Sequence, residues 1–320
     1  MPPLSMKVSI IGAGVLGSIF GSVLSEAGFD VTLIEIFQKR MELLKKKGVY
    51  VQMPDGSRLH TKPTVTDDAS TVGVCDVVMV CVKGYHTSSA IKSGLPMIGP
   101  NTLVLSVQNG LGNLDAIEEH VPRHQIIGGI TTHSGMPVSL NEIKYVGGKG
   151  PLLMIGPISG SASSEYDTLV AELTAKSVSF SSHLDIENII WQKLLANVAC
   201  NCVAAMTGLT SIHILADRST RTMLEGLAEE VAQVARVKGL SFPALDDPKA
   251  YVVAAFAGTK DNKVSMLQDI EAGRPTEIGT LNEAVVREAQ ALGVRAPLNE
   301  MVTQVIRGKE LFNRLAKSAA

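Results

Sequence analysis

The segment KVSIIGAGVLG, residues 7–17, decides the fold of this chain. It begins with a short apolar run, Lys7 to Ile11, which predicts a buried strand. A glycine-rich turn follows, and then an apolar segment from Val15 to Ala27 that predicts a helix. A second β-rich run from Val31 to Glu35 completes a strand–helix–strand unit. This order of elements is typical of a parallel sheet that binds a nucleotide at the end of its first strand.

The turn has the pattern Gly-x-Gly-x-x-Gly, and each glycine has a physical reason. Gly12 permits the tight turn, Gly14 lets the backbone approach a pyrophosphate, and Gly17 lets helix and strand pack closely. Phosphate oxygens would then meet free N–H groups at the helix N-terminus. A purely structural glycine turn is the alternative. The pattern predicts the following dinucleotide-binding residues: Gly12, Ala13, Gly14, Val15, Leu16 and Gly17.

The first part of the chain alternates short apolar runs with helical segments, which predicts a parallel sheet with crossover helices. The predicted strands are Lys7 to Ile11, Val31 to Glu35, Asp76 to Val82, Thr102 to Val107 and Gln125 to Thr132. The less regular stretch from Ser134 to Ser182 is expected to add strands and turns, including a Ser/Gly-rich piece at Ser159 to Ser164.

After His183 apolar residues recur at helical spacing, and Gly239 and Gly293 stand where helices can end. The predicted fold class is therefore an α/β Rossmann-type parallel sheet domain followed by an all-helical C-terminal domain. We place a dinucleotide-binding Rossmann-type domain at residues 1–183 and a helical substrate and catalytic domain at residues 184–320.

Composition and charge exclude several function classes. The chain has 320 residues, 45% of them hydrophobic, and a formal net charge of −2. It has no run of like charge that would signal a nucleic-acid tail or a polybasic membrane patch, so neither partner is expected. The apolar stretch Ile189 to Met206 is interrupted by polar residues and is not expected to span a bilayer. The N-terminus lacks a signal-peptide pattern, and scattered cysteines and histidines predict buried thiols, no metal site and a cytoplasmic location.

An acidic residue at the second strand bears on the choice of cofactor. Glu35 stands where a carboxylate accepts hydrogen bonds from the ribose hydroxyls of adenosine and repels a 2′-phosphate, which favours NAD over NADP. Lys39 and Arg40, one turn further on, are alternative phosphate ligands. A solvated helix start is the structural alternative for all three residues. The sequence thus predicts NAD(P)H as the cofactor, with a preference for NAD.

A polar stripe interrupts an otherwise apolar helix in the second domain. Lys193, Asn197 and Asn201 recur every four residues among Leu, Ala, Val and Cys, so they lie on one face of the helix. Burying amide or ammonium groups without partners is costly, and a polar ligand would satisfy them. A partly desolvated lysine also has a lowered pKa, which suits a general acid. A hydrogen-bonded seam between helices is the alternative.

Several segments together resemble the ketopantoate reductase family, the 2-dehydropantoate 2-reductases, over nearly the whole chain. Besides the glycine turn and the polar stripe, the family's order and spacing are found in Val82-Lys83-Gly84, Gln108-Asn109-Gly110-Leu111-Gly112, Ser265-Met266-Leu267-Gln268-Asp269-Ile270 and Thr276-Glu277-Ile278.

The resemblance implies catalytic and cofactor-binding roles. Lys193 corresponds to the catalytic lysine that protonates the carbonyl oxygen as hydride arrives, and Glu277 to the glutamate beside the nicotinamide ribose and the reacting centre. Lys83 and Asn109 correspond to residues on the cofactor side. Many members carry a basic residue for the NADP 2′-phosphate just after the second strand, where this chain has Glu35.

The resemblance also implies the substrate ligands and the reaction. Asn197 and Asn201 correspond to amides that hold the substrate, and Asn262 and Ser265 lie where the substrate carboxylate is bound. The expected reaction is reduction of a 2-keto acid, with 2-dehydropantoate to (R)-pantoate as the leading substrate, which belongs to pantothenate biosynthesis. An NAD-dependent D-2-hydroxyacid dehydrogenase similar to D-mandelate dehydrogenase is the alternative, and a non-catalytic dinucleotide sensor is a remote one. A homodimer is a possible assembly.

Overall fold

The structure, a computed structural model, describes residues 5–258 and 263–318. The chain divides into two compact units. The first contains Met1–Gln108 and Asn113–Glu187, and the second contains Asn109–Gly112 and Asn188–Ala320. The four residues Asn109–Gly112 therefore belong to the second unit although they interrupt the first in sequence, a feature that the sequence did not predict.

The first unit contains two sheets. Its strands are β1 (Lys7–Ile11), β2 (Asp30–Ile34), β3 (Val49–Gln52), β4 (Arg58–Thr61), β5 (Thr64–Thr66), β6 (Val77–Val80), β7 (Leu103–Ser106), β8 (Ile126–Ile130), β9 (Ser134–Pro137), β10 (Glu142–Gly147), β11 (Leu153–Pro157) and β12 (Phe180–Ser182). Its helices are α1 (Val15–Glu26), α2 (Gln38–Lys47), α3 (Thr87–Gly94), α4 (Asn113–Glu118) and α5 (Ser164–Ala175).

The larger sheet has the doubly wound topology that the sequence predicts. Its eight strands lie in the order β12-β11-β8-β7-β6-β1-β2-β5, and every pairing is parallel except that of β8 with β11. Strand β1 lies between β2 and β6, so the chain winds outward from it in both directions. Such a switch point leaves a crevice at the carboxyl ends of the strands, where the glycine-rich turn follows β1.

The five predicted strands are confirmed with ends that differ by at most two residues, but the sequence missed three features. One is the short strand β5, which pairs in parallel with β2. Strands β3 and β4 pair as an antiparallel hairpin in a part of the chain where only helices were expected. Together with β10 and β9 they form a second sheet in the order β4-β3-β10-β9. The stretch Ser134 to Ser182 also contains a helix, α5, which the prediction of strands and turns omitted. The Ser163 hydroxyl accepts a hydrogen bond from the Tyr166 N–H at 3.2 Å, so part of the Ser/Gly-rich piece is a helix cap rather than a loop.

The described part of the second unit is helical, as the sequence predicts. Its helices are α6 (Ile186–Thr207, from Asn188 onward), α7 (Ser211–Ala216), α8 (Arg218–Val237), α9 (Pro248–Ala257), α10 (Ser265–Glu271), α11 (Asn282–Ala291) and α12 (Pro297–Ser318). Gly239 and Gly293 adopt φ values of 85° and 68° just after α8 and α11, which is the left-handed conformation that ends many helices.

Helix α6 forms the centre of the second unit's core. Trp191, Leu194, Leu195 and Val198 are buried in it. By length and mean hydropathy this helix could span a membrane, although its polar residues predict that it does not. In the structure, 67% of its most apolar stretch is buried inside the protein. Such burial is typical of the core helix of a folded domain. The thiols of Cys75, Cys200 and Cys202 are free and buried, and Cys81 is half-buried.

Candidate active site

The glycine-rich turn in the first unit has the geometry of a phosphate cradle. Gly12 has a φ of 100°, and a Cβ added there would lie 2.8 Å from Cγ1 of Val82. A Cβ on Gly17 would lie 2.0 Å from the carbonyl oxygen of Gly12. Gly14 is different, because it is exposed and a Cβ there would meet no atom within 4 Å. Internal packing thus explains two of the glycines, whereas Gly14 leaves open space that a ligand can approach.

The start of helix α1 adds donors to this cradle. Gly14 is the N-cap residue and supplies no side chain to cap the first turn. The leading N–H groups of a helix lack intrahelical acceptors, and together with the helix dipole they favour an anion. Ala13 is buried, while Val15 and Leu16 are half-buried. The turn therefore fits the pyrophosphate of a dinucleotide, in both donors and available space.

Glu35 lies directly after β2 and is held in place by two contacts. Its Oε1 accepts a hydrogen bond from the Phe37 N–H at 2.9 Å, and its Oε2 lies 3.3 Å from Nε of Arg40. Both side chains of this ion pair are only 12% exposed. Arg40 also donates to the Ser18 hydroxyl at 3.0 Å. Burial lowers the pKa of Arg40, and the Glu35 carboxylate opposes that effect. The structural alternative, a helix start in solvent, therefore does not hold for Glu35 and Arg40. Lys39 is exposed, as that alternative expects.

Gln108 connects strand ends next to the glycine-rich turn, a role that its place in the motif Gln108-Asn109-Gly110-Leu111-Gly112 did not predict. Its Nε2 donates to the carbonyl oxygen of Val82 at 2.9 Å and to Oγ1 of Thr87 at 2.8 Å. Lys83, which follows Val82, is half-buried and begins a short helical turn. The position of Gln108 immediately before Asn109 was the available signal for its role.

In the second unit, the segment Asn109–Gly112 is fixed against the residues that precede α11. The Leu111 N–H donates to the carbonyl oxygen of Thr280 at 2.8 Å. Gly110 has a φ of 85°, and a Cβ there would lie 2.0 Å from the same oxygen, so only glycine fits. This close approach fixes the backbone next to Asn109. Thr280 had no signal in the sequence, because its contribution is a backbone oxygen.

Lys193 is the chemically distinctive group of the second unit. Its Nζ donates a hydrogen bond to Oδ1 of Asn109 at 2.8 Å. Burial lowers the pKa of Lys193 from 10.5 to about 8, and the negative charge of Glu277 acts in the opposite direction. Glu277 is itself buried. The structure therefore brings together three of the predicted site residues, and a lysine with this pKa can give up a proton near neutral pH.

The other members of the polar stripe continue along α6. The helix is continuous through Lys193, Asn197 and Asn201, so the predicted common face is present. Asn197 is half-buried and Asn201 is buried. Within residues 5–258 and 263–318, neither amide side chain forms a hydrogen bond to another residue of the chain. The partner of Lys193, Asn109, lies between β7 and α4 and on no helix, so this hydrogen bond is not part of a seam between helices.

The two residues predicted to bind a carboxylate are placed unequally. Ser265 is the first residue of α10 and is exposed. Asn262 lies outside the described residues. No group of three or more His, Cys, Asp or Glu residues that could hold a metal ion occurs in the described ranges.

The fold and these two sets of residues define a class of protein, an oxidoreductase with a doubly wound nucleotide-binding unit and a helical unit that carries a half-buried lysine of lowered pKa. The family described as "Ketopantoate reductase PanE/ApbA" matches residues 8–159, and "Ketopantoate reductase PanE/ApbA C terminal" matches residues 185–310. The chain therefore belongs to the ketopantoate reductase family, which confirms the resemblance seen in the sequence.

Individual relatives agree with this assignment over nearly their full lengths. The chain is 30% identical to a 2-dehydropantoate 2-reductase of Halobacterium salinarum, over 94% of this chain and 98% of the relative. It is 30% identical to one of Pyrococcus abyssi, over 95% and 98%. A PanE/ApbA family ketopantoate reductase of Ralstonia eutropha superposes with a TM-score of 0.86 at 28% identity, covering 97% of this chain and 100% of that one.

A D-mandelate dehydrogenase solved with NADH and anilino(oxo)acetate has the same fold. It superposes with a TM-score of 0.87 at 23% identity, covering 97% of this chain and 99% of that one. The Rossmann-type sheet followed by a helical region, predicted from the sequence, is confirmed by the structure and by its superposition on the Ralstonia eutropha ketopantoate reductase.

Proposed function

We propose that the protein reduces a 2-keto acid to the (R)-2-hydroxy acid with a nicotinamide dinucleotide, and that 2-dehydropantoate is the substrate. One observation carries the proposal: Lys193, with a pKa of about 8, is held by Asn109 at 2.8 Å beside the buried Glu277. Reducing a ketone requires a proton for the developing alkoxide, and general acids work best with a pKa near the operating pH. The curated relatives named 2-dehydropantoate 2-reductase favour this substrate.

In the proposed reaction, Lys193 donates its proton to the carbonyl oxygen of the substrate. Asn109 accepts a hydrogen bond from the lysine and so orients the ammonium group, while the charge of Glu277 favours its protonated form. Oriented donors of this kind stabilise charge as it develops in the transition state. Lys193 and Glu277 are thus the proposed catalytic residues.

The amides of Asn197 and Asn201 are proposed to hold the substrate. They lie on the same face of α6 as Lys193 and have no hydrogen-bond partner in the described part of the chain. Asn201 is buried and Asn197 is half-buried, and amides that are shielded from water without partners gain from a polar ligand. Ser265, with Asn262, is proposed to bind the carboxylate.

The dinucleotide is proposed to bind at the glycine-rich turn, with Lys83, Asn109 and Glu277 contributing on the nicotinamide side. When bound, the reduced nicotinamide supplies the hydride. Glu35 is proposed to accept the ribose hydroxyls and to favour NAD over NADP. The ion pair between Glu35 and Arg40, at 3.3 Å, supports this preference. Because Arg40 is paired with Glu35, it is not available to bind a 2′-phosphate.

We further propose the domain roles and location predicted from the sequence. Residues 1–183, apart from Asn109–Gly112, which group with the second unit, form the dinucleotide-binding domain, and residues 184–320 form the helical substrate and catalytic domain of a cytoplasmic enzyme. A D-2-hydroxyacid dehydrogenase for bulkier keto acids is the second candidate, supported by the fold shared with D-mandelate dehydrogenase.

Initial rates of purified protein test these proposals. Ketopantoate, benzoylformate and branched 2-keto acids are compared with NADH and NADPH by nicotinamide absorbance. We expect the highest kcat/KM with ketopantoate and NADH. A large preference for benzoylformate would refute ketopantoate as the substrate and favour the D-2-hydroxyacid dehydrogenase. A preference for NADPH would refute the proposed role of Glu35. Lys193→Ala should lose about 10²- to 10⁴-fold in kcat while the dinucleotide still binds. Dinucleotide binding without turnover of any 2-keto acid would instead indicate a sensor.

A further inference from the structure

The backbone of Glu277 lies in the loop that connects α10 to α11. This loop turns inward at Thr276, because Arg274 and Pro275 are exposed whereas Thr276 and Glu277 are only 3% and 8% exposed. Backbone N–H groups in a buried loop need hydrogen-bond partners, which side chains from elsewhere in the fold can supply. The position of the Glu277 carboxylate therefore depends on the groups that hold the residues on either side of it.

Glu310, on the C-terminal helix α12, holds these residues from a distant part of the sequence. Its Oε1 accepts hydrogen bonds from the N–H and from the hydroxyl of Thr276, both at 2.7 Å. The same Thr276 hydroxyl accepts a hydrogen bond from the Ile278 N–H at 3.2 Å. The N–H groups immediately before and after Glu277 are thus both fixed, one by Glu310 directly and the other through Thr276.

The carboxylate of Glu310 is itself held in one orientation. Its side chain is 15% exposed, and its Oε2 lies 3.3 Å from Nη1 of Arg307, which donates to it. Arg307 also pairs with Glu283 at 2.7 Å, in the first turn of α11. A carboxylate can accept hydrogen bonds on both oxygens, and bonds to a charged acceptor are stronger than those to a neutral one. Glu310 is therefore a fixed support for Thr276 and not a solvated surface charge.

The carbonyl side of Glu277 is connected to the residue that binds Lys193. The Glu277 carbonyl oxygen accepts a hydrogen bond from the Thr280 N–H at 3.1 Å, and the Thr280 carbonyl oxygen accepts one from the Leu111 N–H at 2.8 Å. Leu111 lies two residues after Asn109, which accepts the hydrogen bond from the Lys193 ammonium group at 2.8 Å. The two groups that act on Lys193 thus belong to one hydrogen-bonded framework.

We propose that Glu310 is a positioning residue, which acts through Thr276 to hold the Glu277 carboxylate in place for its action on Lys193. The proposal rests on the function proposed above, in which Lys193 is the proton donor. A charge that is fixed before the reaction acts without a cost of reorganisation, and a carboxylate on a loop is only as well fixed as its backbone. Weakening this support should therefore weaken the effect of Glu277 on Lys193.

The readout is the pKa of Lys193 in the full-length protein without substrate, from an NMR titration of isotope-labelled lysine. The signal is assigned by its loss in Lys193→Ala. The wild-type pKa is expected at about 8. Thr276→Val removes the hydroxyl that bridges to Ile278, and Glu310→Leu removes the acceptor of both Thr276 donors. Each variant should lower the Lys193 pKa by about half a unit, and by no more than Glu277→Gln does.

Conservative variants should restore the wild-type value. Thr276→Ser keeps both the N–H and the hydroxyl, so the Lys193 pKa should stay at about 8. Glu310→Gln keeps an oxygen that accepts hydrogen bonds but removes the charge, and it should also leave this pKa unchanged. A Glu310→Gln variant with a Lys193 pKa as low as that of Glu310→Leu would show a direct effect of charge and would overturn the proposal.

Two matched controls separate positioning from stability. Thr303 is 3% exposed, like Thr276, and its hydroxyl donates to a carbonyl oxygen within α12 at 2.8 Å. Asn313 attaches α12 to its unit by donating to the carbonyl oxygen of Ile270 at 2.8 Å. Thr303→Val and Asn313→Leu should leave the Lys193 pKa unchanged, even where they lower the melting temperature.

A double variant tests whether the effect passes through Glu277. Thr276→Val/Glu277→Gln should have the same Lys193 pKa as Glu277→Gln alone, because the support has nothing to act on once the charge is removed, whereas independent effects add. An additive shift would overturn the proposal, and so would a wild-type pKa in Thr276→Val or Glu310→Leu. None of these measurements needs turnover, so a protein that reduced no 2-keto acid would refute the proposed function and leave this test intact.

Discussion

The proton on Lys193 should control how the rate of keto-acid reduction depends on pH. Burial lowers the pKa of this lysine to about 8. The general acid must be protonated, so activity is present below that pKa and is lost as pH rises through it. About nine in ten lysines carry the proton at pH 7 and about one in ten at pH 9. We therefore expect kcat/KM to be level near pH 7 and to fall about tenfold per unit above pH 8.

Glu277→Gln removes the charge that raises this pKa while keeping the shape of the side chain. The alkaline fall in activity should therefore move to lower pH, and a move of one unit would correspond to about 1.4 kcal/mol. Glu229→Gln is the matched control, because Glu229 pairs with Lys249 at 3.7 Å on the surface of α8 and α9 and should leave the profile unchanged.

The assay is kcat/KM from pH 6 to pH 10 at saturating dinucleotide, with dinucleotide binding measured separately at each pH. A wild-type profile without a fall between pH 7 and pH 9 would refute the assignment of Lys193 as the proton donor. A profile that Glu277→Gln leaves in place would refute the electrostatic role of the glutamate, even if the variant were slower.

Two further predictions concern glycines. Gly14→Val should weaken dinucleotide binding at least tenfold and leave thermal stability unchanged, because its side chain would fill open space at the turn. Gly17→Ala should instead lower the melting temperature, because its Cβ would lie 2.0 Å from a carbonyl oxygen. Fluorescence titration measures the binding and calorimetry the stability; equal destabilisation by the two variants would contradict the phosphate cradle. Gly110→Ala should destabilise the protein by about 1–3 kcal/mol and reduce kcat, because it combines a φ of 85° with a contact of 2.0 Å to Thr280. Gly208→Ala, at a φ of 75° and with no atom within 4 Å, should show the conformational cost alone. Equal denaturant midpoints for these two variants would count against the close contact.

The parts of the fold that could be predicted from the sequence are those with local causes. Buried parallel strands are apolar on both faces, so β6 and β7 were recognised from composition alone. The hairpin of β3 and β4 was missed because its strands are short and half-exposed. Helix α5 was missed because its serine cap was taken for a loop, and only Tyr166, Leu169 and Leu173 on one face carry its buried side.

The candidate site also has parts that the sequence could predict and parts that it could not. The four-residue spacing placed Lys193 and Asn197 on one helix face, since a helix turns by a fixed angle per residue. No spacing could show that Lys193 donates to Asn109, because the two residues are far apart in sequence and meet only through tertiary packing. Thr280 was out of reach for another reason: it acts through a backbone oxygen, and every residue has one.

The discontinuous second unit has a consequence for dissecting the protein. The four residues Asn109–Gly112 belong to it although they are encoded between β7 and α4 of the first unit. A fragment that begins at Asn188 would contain Lys193 and Glu277 but would lack the acceptor at 2.8 Å from the lysine ammonium. The helical unit is therefore not an interchangeable module. A chimaera that exchanged it between relatives would inherit its lysine from one parent and the partner of that lysine from the other.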